Sequence, residues 1–185
     1  MELFEFVMVL LSIIVGLGMA TLLTGVADLI RAGRSARPYW VHTLIIAMAF
    51  LALAQVWWES WGLHAVAEWS FLGLLMMLGG PICLFLISHL LFPESLGGAD
   101  LAEYYFEVSS VVWLLGAATT LIGTSLGPIA FGGPLFDVGN LASVPTLLIC
   151  LVLAVSRNRR LHTLLVPALF PIIVLDIVLV TRILS

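Results

Sequence analysis

The chain has 185 residues, of which 62% are hydrophobic and few are charged, 7 basic and 11 acidic. Soluble domains carry about a quarter charged residues and about half apolar ones, so this composition, with a mean hydropathy of +1.20, excludes a water-soluble globule, a disordered chain and a disulfide-stapled secreted module. All seven basic residues are Arg and the net charge is −4, which removes the electrostatic footprint of a nucleic-acid binder. Cys83 and Cys150 fall inside apolar runs, where thiols behave as small hydrophobes.

Six runs are expected to form spanning helices, judged against the roughly 20 apolar residues that cross about 30 Å of hydrocarbon. They are Leu3–Ile30, Tyr39–Leu63, Trp69–Phe92, Tyr104–Leu126, Leu141–Ser156 and Leu161–Leu184. The first opens Met-Glu-Leu-Phe-Glu, acidic where a signal peptide is basic, and is expected to be a retained helix. Arg31, Arg34 and Arg37 follow the first run, and Arg157, Arg159 and Arg160 separate the fifth from the sixth. Short cytoplasmic loops retain Arg, so this side is expected to be cytoplasmic, in a bacterial inner membrane, with both termini outside. The segment Pro93–Glu103 is assigned to the same side although it carries no basic residue. Trp57, Trp58, Trp61 and Trp69 near one end of the runs, and Trp40 near the other, fit aromatic belts at the headgroup level. Gly127–Asn140, apolar yet rich in Gly and Pro, is expected to lie on or dip into the bilayer.

The order of motifs hints at an internal repeat. Gly18–Gly25 (GMATLLTG) and Gly116–Gly123 (GAATTLIG) share five of eight residues in the first and fourth runs. Leu74–Ile82 and Leu164–Ile172 match more weakly in the third and sixth. Three helices repeated give a 3 + 3 inverted arrangement, with halves 1–97 and 98–185 inside a single membrane domain, 1–185. Helix breakers fall in the matched third and sixth runs: Gly79, Gly80 and Pro81, then Pro167 and Pro171. Proline deletes an N–H and collides with the preceding turn, so both helices are expected to kink or unwind at depth, as at a transport site. Ser12, Gly16, Ala20 and Thr24 form a small-residue ridge on the first run, and Gly116 and Gly123 belong to a similar one on the fourth. These are expected to pack closely, on each other or on another subunit.

Asp176 stands about 5 Å from the middle of the sixth run, where an acid is expensive and usually faces a cavity or a partner. Glu59, in WWESW, lies nearer the outer face and is expected to pair with Arg182. His42, His89 and His162, with Asp28, share one level on the cytoplasmic side and form a candidate proton, metal or haem cluster. Gly123–Gly127 spells GTSLG, the G-x-S-x-G pattern of serine hydrolases. With six helices and a glycine-flanked serine in the fourth, the chain superficially resembles the rhomboid intramembrane proteases. That family needs a histidine of the sixth helix at the depth of the serine, and His162 lies at the opposite face, leaving only His64 and Asp137 on the side of Ser125.

The sequence therefore reads as an all-α, polytopic integral membrane protein of six transmembrane helices. The expected function is a small channel or transporter for a proton, cation or small solute, lined by Asp176, Gly79, Gly80, Pro81, Pro171 and Glu59. The alternative is a non-transporting membrane subunit or oligomerising scaffold that docks a partner or a second copy. A haem or metal redox protein ranks below both, with no dedicated metal site read and no cofactor expected.

Overall fold

A computed structural model describes residues 3–65, 69–131 and 142–184. Among them six α-helices follow in chain order: α1 (Leu3–Ala32), α2 (Trp40–Glu59), α3 (Phe71–Leu90), α4 (Leu101–Phe131), α5 (Ser143–Val155) and α6 (Arg159–Leu184). Each coincides with one of the expected runs. Five, α1 to α4 and α6, are long and apolar enough to cross a membrane. The 13 residues of α5 rise only about 20 Å at 1.5 Å per residue, short of the hydrocarbon thickness. Large apolar side chains are exposed along the helices, such as Ile13 on α1, Phe71 on α3 and Leu164 on α6. Exposed apolar faces of this extent point to a membrane-embedded protein. Trp40 and Trp57 are exposed at opposite ends of α2, about 26 Å apart along the axis, close to the separation of two headgroup levels.

Helix α3 packs against α1, α2 and α4, α5 packs against α4 and α6, and α6 returns to α2. The outcome is a ring of α2 to α6 with α1 on its outside, against α2 and α3. The seam of α1 is Val7, Leu11, Val15, Gly18, Leu22 and Gly25, all buried. A Cβ on Gly18 would touch Leu53 of α2 at 3.0 Å, and one on Gly25 would overlap the ring of Phe92 beyond α3. The ridge Ser12, Gly16, Ala20 and Thr24 occupies the opposite, exposed face. It therefore does not pack on α4, contrary to one expectation, although Ser12 accepts a 3.3 Å hydrogen bond from Trp57 Nε1.

The expected unwinding is also absent: α3 continues as helix through Pro81, and α6 through Pro167 and Pro171. Helices in a bilayer tolerate proline because neighbouring helices re-satisfy the freed backbone groups. Gly79 and Gly80 serve the contact with α4 instead, where their Cβ positions would lie 3.1 Å from Ile122 and 3.8 Å from Thr119. Helix α4 runs on to Phe131, so the first residues of Gly127–Asn140 are helical; 132–140 lie outside the described residues.

Three connections meet at one end of the bundle. Gly33 takes a positive φ of 52° just past α1, and Gly98 one of 79° before α4; both are conformations that side chains with a Cβ avoid. The backbone then pairs across the two loops: Gly98 N donates to Ser35 O (3.0 Å), Arg37 N to Ala99 O (2.9 Å) and Leu101 N to Arg37 O (3.1 Å). Asp100 starts α4, its Oδ1 accepting from Ala102 N at 2.9 Å and Glu103 N at 3.3 Å. Those two N–H groups, with Arg37 behind them, hold its carboxyl below the usual carboxylate range. The Arg37 guanidinium lies 3.7 Å from Asp100 Oδ2, so the segment without a basic residue borrows one from the first loop. Arg159 lies over the Tyr39 ring at 5.2 Å, which brings the α5–α6 connection to the same end.

The two glycine faces of α1 should separate in a stability measurement. Gly25→Ala is expected to cost about 1–3 kcal/mol by overpacking against Phe92, and Gly16→Ala, with open space around its Cβ, to be neutral or slightly stabilising. Thermal unfolding in detergent checks the pair; equal effects would mean that the buried face has been misassigned.

Candidate functional site

On α2, Gln55 and Glu59 are four residues apart and share a face. Asp176 comes from α6, which packs against α2. The Gln55 amide joins the two acids: Nε2 donates to Glu59 Oε1 and to Asp176 Oδ2, each at 2.6 Å. An amide nitrogen has two hydrogens, so both are spent. No basic side chain takes part among the described residues; the side chain of Arg182, the partner expected for Glu59, lies outside them.

These three residues line a cavity of about 620 Å³ inside the ring of helices. Its opposite wall carries Thr119, Thr120 and Thr124 of α4 and Thr146 of α5. Each threonine hydroxyl donates back to its own helix, to Leu115 O (2.9 Å), Gly116 O (3.0 Å), Thr120 O (2.8 Å) and Ala142 O (2.8 Å) respectively. Their lone pairs remain as acceptors. Toward the end where the loops meet, the lining becomes apolar, with Ile45, Leu84, Ile87, Val112 and Leu169. The cavity is therefore rich in acceptors, with the donors of Gln55 and of the threonines already engaged. Such a lining suits a cation or a hydrogen-bond donor.

Past the apolar floor, along the same stripes of α2 and α6, sit His42 and His162, both fully buried. His162 closes a directional chain. Trp113 Nε1 donates to Tyr105 Oη (2.9 Å), Tyr105 Oη donates to His162 Nδ1 (2.5 Å), and His162 Nε2 donates to Ser156 O (2.8 Å). The carbonyl accepts only, so the tautomer follows. His42 Nε2 donates to Leu91 O at 2.6 Å, and its Nδ1 finds no hydrogen-bond partner among the described residues.

Of the residues singled out in the sequence, Asp176 and Glu59 are brought together in the cavity. Gly79, Gly80, Pro81 and Pro171 do not line it. Gly116 and Gly123 do, and Gly116 also lets Cys150 of α5 approach, its Cβ position being 3.5 Å from Sγ. The expected cluster of His42, His89, His162 and Asp28 does not converge on one point. His89 is exposed beside Phe85, Asp28 forms an exposed ion pair with Arg31 at 2.7 Å, and each buried imidazole spends one nitrogen on a carbonyl. Among the described residues no group of three metal-ligating side chains converges. Ser125 Oγ donates to Leu121 O and Ile122 O of its own helix, while His64 donates Nδ1–H to Trp61 O; Asp137 lies outside the described residues. Neither Gln55 nor the Trp113–Tyr105–His162 chain is singled out by the sequence pattern. The signal for Gln55 was present, an amide one turn before an intramembrane acid.

Fold and site together define a helical, membrane-embedded protein with an acidic cavity between its helices. The chain matches no known family, no curated protein and no solved structure.

Tyr105 sits at the centre of the buried chain, so Tyr105→Phe strips one partner from Trp113 and one from His162. Leaving two buried groups unsatisfied is expected to cost about 2–4 kcal/mol. Unfolding in detergent reads this, and an unchanged midpoint would show that the chain of hydrogen bonds is not formed.

Proposed function

We propose that this protein is a small transporter or channel that moves a proton, a cation or a small cationic solute, with Asp176 and Glu59 as the site that holds it. The single observation that carries this reading is the pair of acids on one amide, facing a cavity with no basic residue among its described lining. Intramembrane acids facing a cavity are functional sites by default, because an acid in a purely structural place would cost on the order of 2.5–3.5 kcal/mol to insert. In this reading the carboxyls hold the passenger, Gln55 keeps them at a fixed separation, and the threonine lone pairs replace part of its hydration. The apolar floor then separates the acids from His42 and His162.

The finer topology belongs to the same proposal: six crossings, with α5 and its flanking residues completing the fifth. The end bearing Arg31, Arg34, Arg37, Arg157, Arg159 and Arg160 is cytoplasmic, both termini are outside, and the membrane is a bacterial inner one. Packing lends no weight to the 3 + 3 repeat, since α1 leans mainly on α3 whereas α4 leans on α5 as well as α3. A second reading, a non-transporting subunit that docks a membrane partner or a second copy, is favoured by the exposed Ser12, Gly16, Ala20 and Thr24 ridge, around which Gly16 has open space.

Flux into liposomes separates the two. Proton or monovalent-cation flux is expected from the wild-type protein and is expected to fall by at least about tenfold in Asp176→Asn, with the size-exclusion profile unchanged. Equal flux in both proteins would remove Asp176 from the pathway, and none in either would favour the docking subunit.

A further inference from the structure

The cavity asks for a more specific passenger than an ion. A dehydrated metal ion wants about six to eight oxygens at 2.0–2.6 Å. Here the oxygens are spread over facing walls, the carboxyls on α2 and α6 and the hydroxyls on α4 and α5. The 620 Å³ between them falls in the range of small-molecule sites, roughly 300–1,000 Å³.

Polarity is graded along the cavity. Glu59, Gln55 and Asp176 crowd one end, and Met48, Leu84 and Leu169 lie toward the other. Trp113 lines the apolar part, its indole pinned by the bond to Tyr105. A fixed aromatic ring and an adaptable methionine accept a hydrophobic body, and an indole face also attracts a cation that reaches it. Gln55 and the threonines have their hydrogens engaged within the protein and so present acceptors to a passenger, Ser143 being the remaining hydroxyl of the lining.

From this we infer that the cavity binds an amphiphilic organic cation, an ammonium or phosphonium with aryl or alkyl substituents, its charge at Glu59 and Asp176 and its apolar body toward Trp113. The inference rests on the proposed function's reading of those acids as a cation site and names the class of cation.

Binding at equilibrium tests it without asking for transport. Full-length protein in lipid nanodiscs is titrated with radiolabelled tetraphenylphosphonium, with triphenylphosphine oxide as an uncharged competitor of related shape. Saturable binding is expected, weakened by about tenfold or more in Glu59→Gln and in Asp176→Asn, and not displaced by the phosphine oxide. Ala52→Phe, which fills the cavity and leaves both acids in place, should abolish it, and a size-exclusion profile confirms that each variant is folded. No saturable binding to the wild type, binding undiminished in both acid variants, or equal displacement by the phosphine oxide would overturn the inference. If tetraphenylphosphonium fails to bind while proton flux still depends on Asp176, the organic cation falls and the transport reading stands. If binding is seen and Asp176→Asn leaves flux intact, the site stands and the transport reading falls.

Discussion

Two carboxyl groups hydrogen-bonded to one glutamine amide are the constraint around which this bundle is organised. An acid within an apolar helix must find a hydrogen-bond partner or a cavity, and Glu59 and Asp176 have both. The amide of Gln55 holds Glu59 within α2 and ties α2 to α6 through Asp176, each at 2.6 Å. Because that tie is made on the α2–α6 side of the ring, α4 and α5 can stand back from it, and the space between becomes the cavity. Removing the amide would leave two acids with only each other and water.

The opposite end of the molecule is built by different means. There the loops pair through their backbones, Asp100 caps α4 while facing Arg37, and Arg159 covers Tyr39. Immediately within, Trp113, Tyr105 and His162 form a satisfied chain. At this end most groups are paired, Tyr39 Oη and His42 Nδ1 excepted, while the other end presents acceptors, its donors being already engaged. The excess of acceptors around Glu59 and Asp176 is the feature on which the proposed preference for positive charge rests.

The helices were legible in the sequence because length and apolarity alone decide them in a lipid-embedded chain. The two acids were legible too, since a charge in an apolar run is conspicuous and costly. What could not be read was azimuth. When every face of a helix is apolar, hydropathy no longer says which side is buried. Thus the four-residue spacing of Ser12, Gly16, Ala20 and Thr24 suggests a packing seam, yet Gly18 and Gly25, seven residues apart on another face, make the contact. The histidines show the same gap, with His42 and His162 turned inward and His89 outward. Gln55 stands one turn before Glu59, which the sequence shows, but its bond to Asp176 exists only once α6 is laid against α2. Pro81 and Pro171 do not unwind their helices, since α3 and α6 run through them.

The most direct test of the account is a double-mutant cycle between Gln55 and Asp176, with Gln55→Leu, Asp176→Leu and the double variant unfolded in detergent. A shared hydrogen bond predicts a coupling of about 1 kcal/mol or more between the two changes. Strict additivity, within about 0.5 kcal/mol, would mean that the amide does not hold the α6 acid and that the cavity is organised some other way.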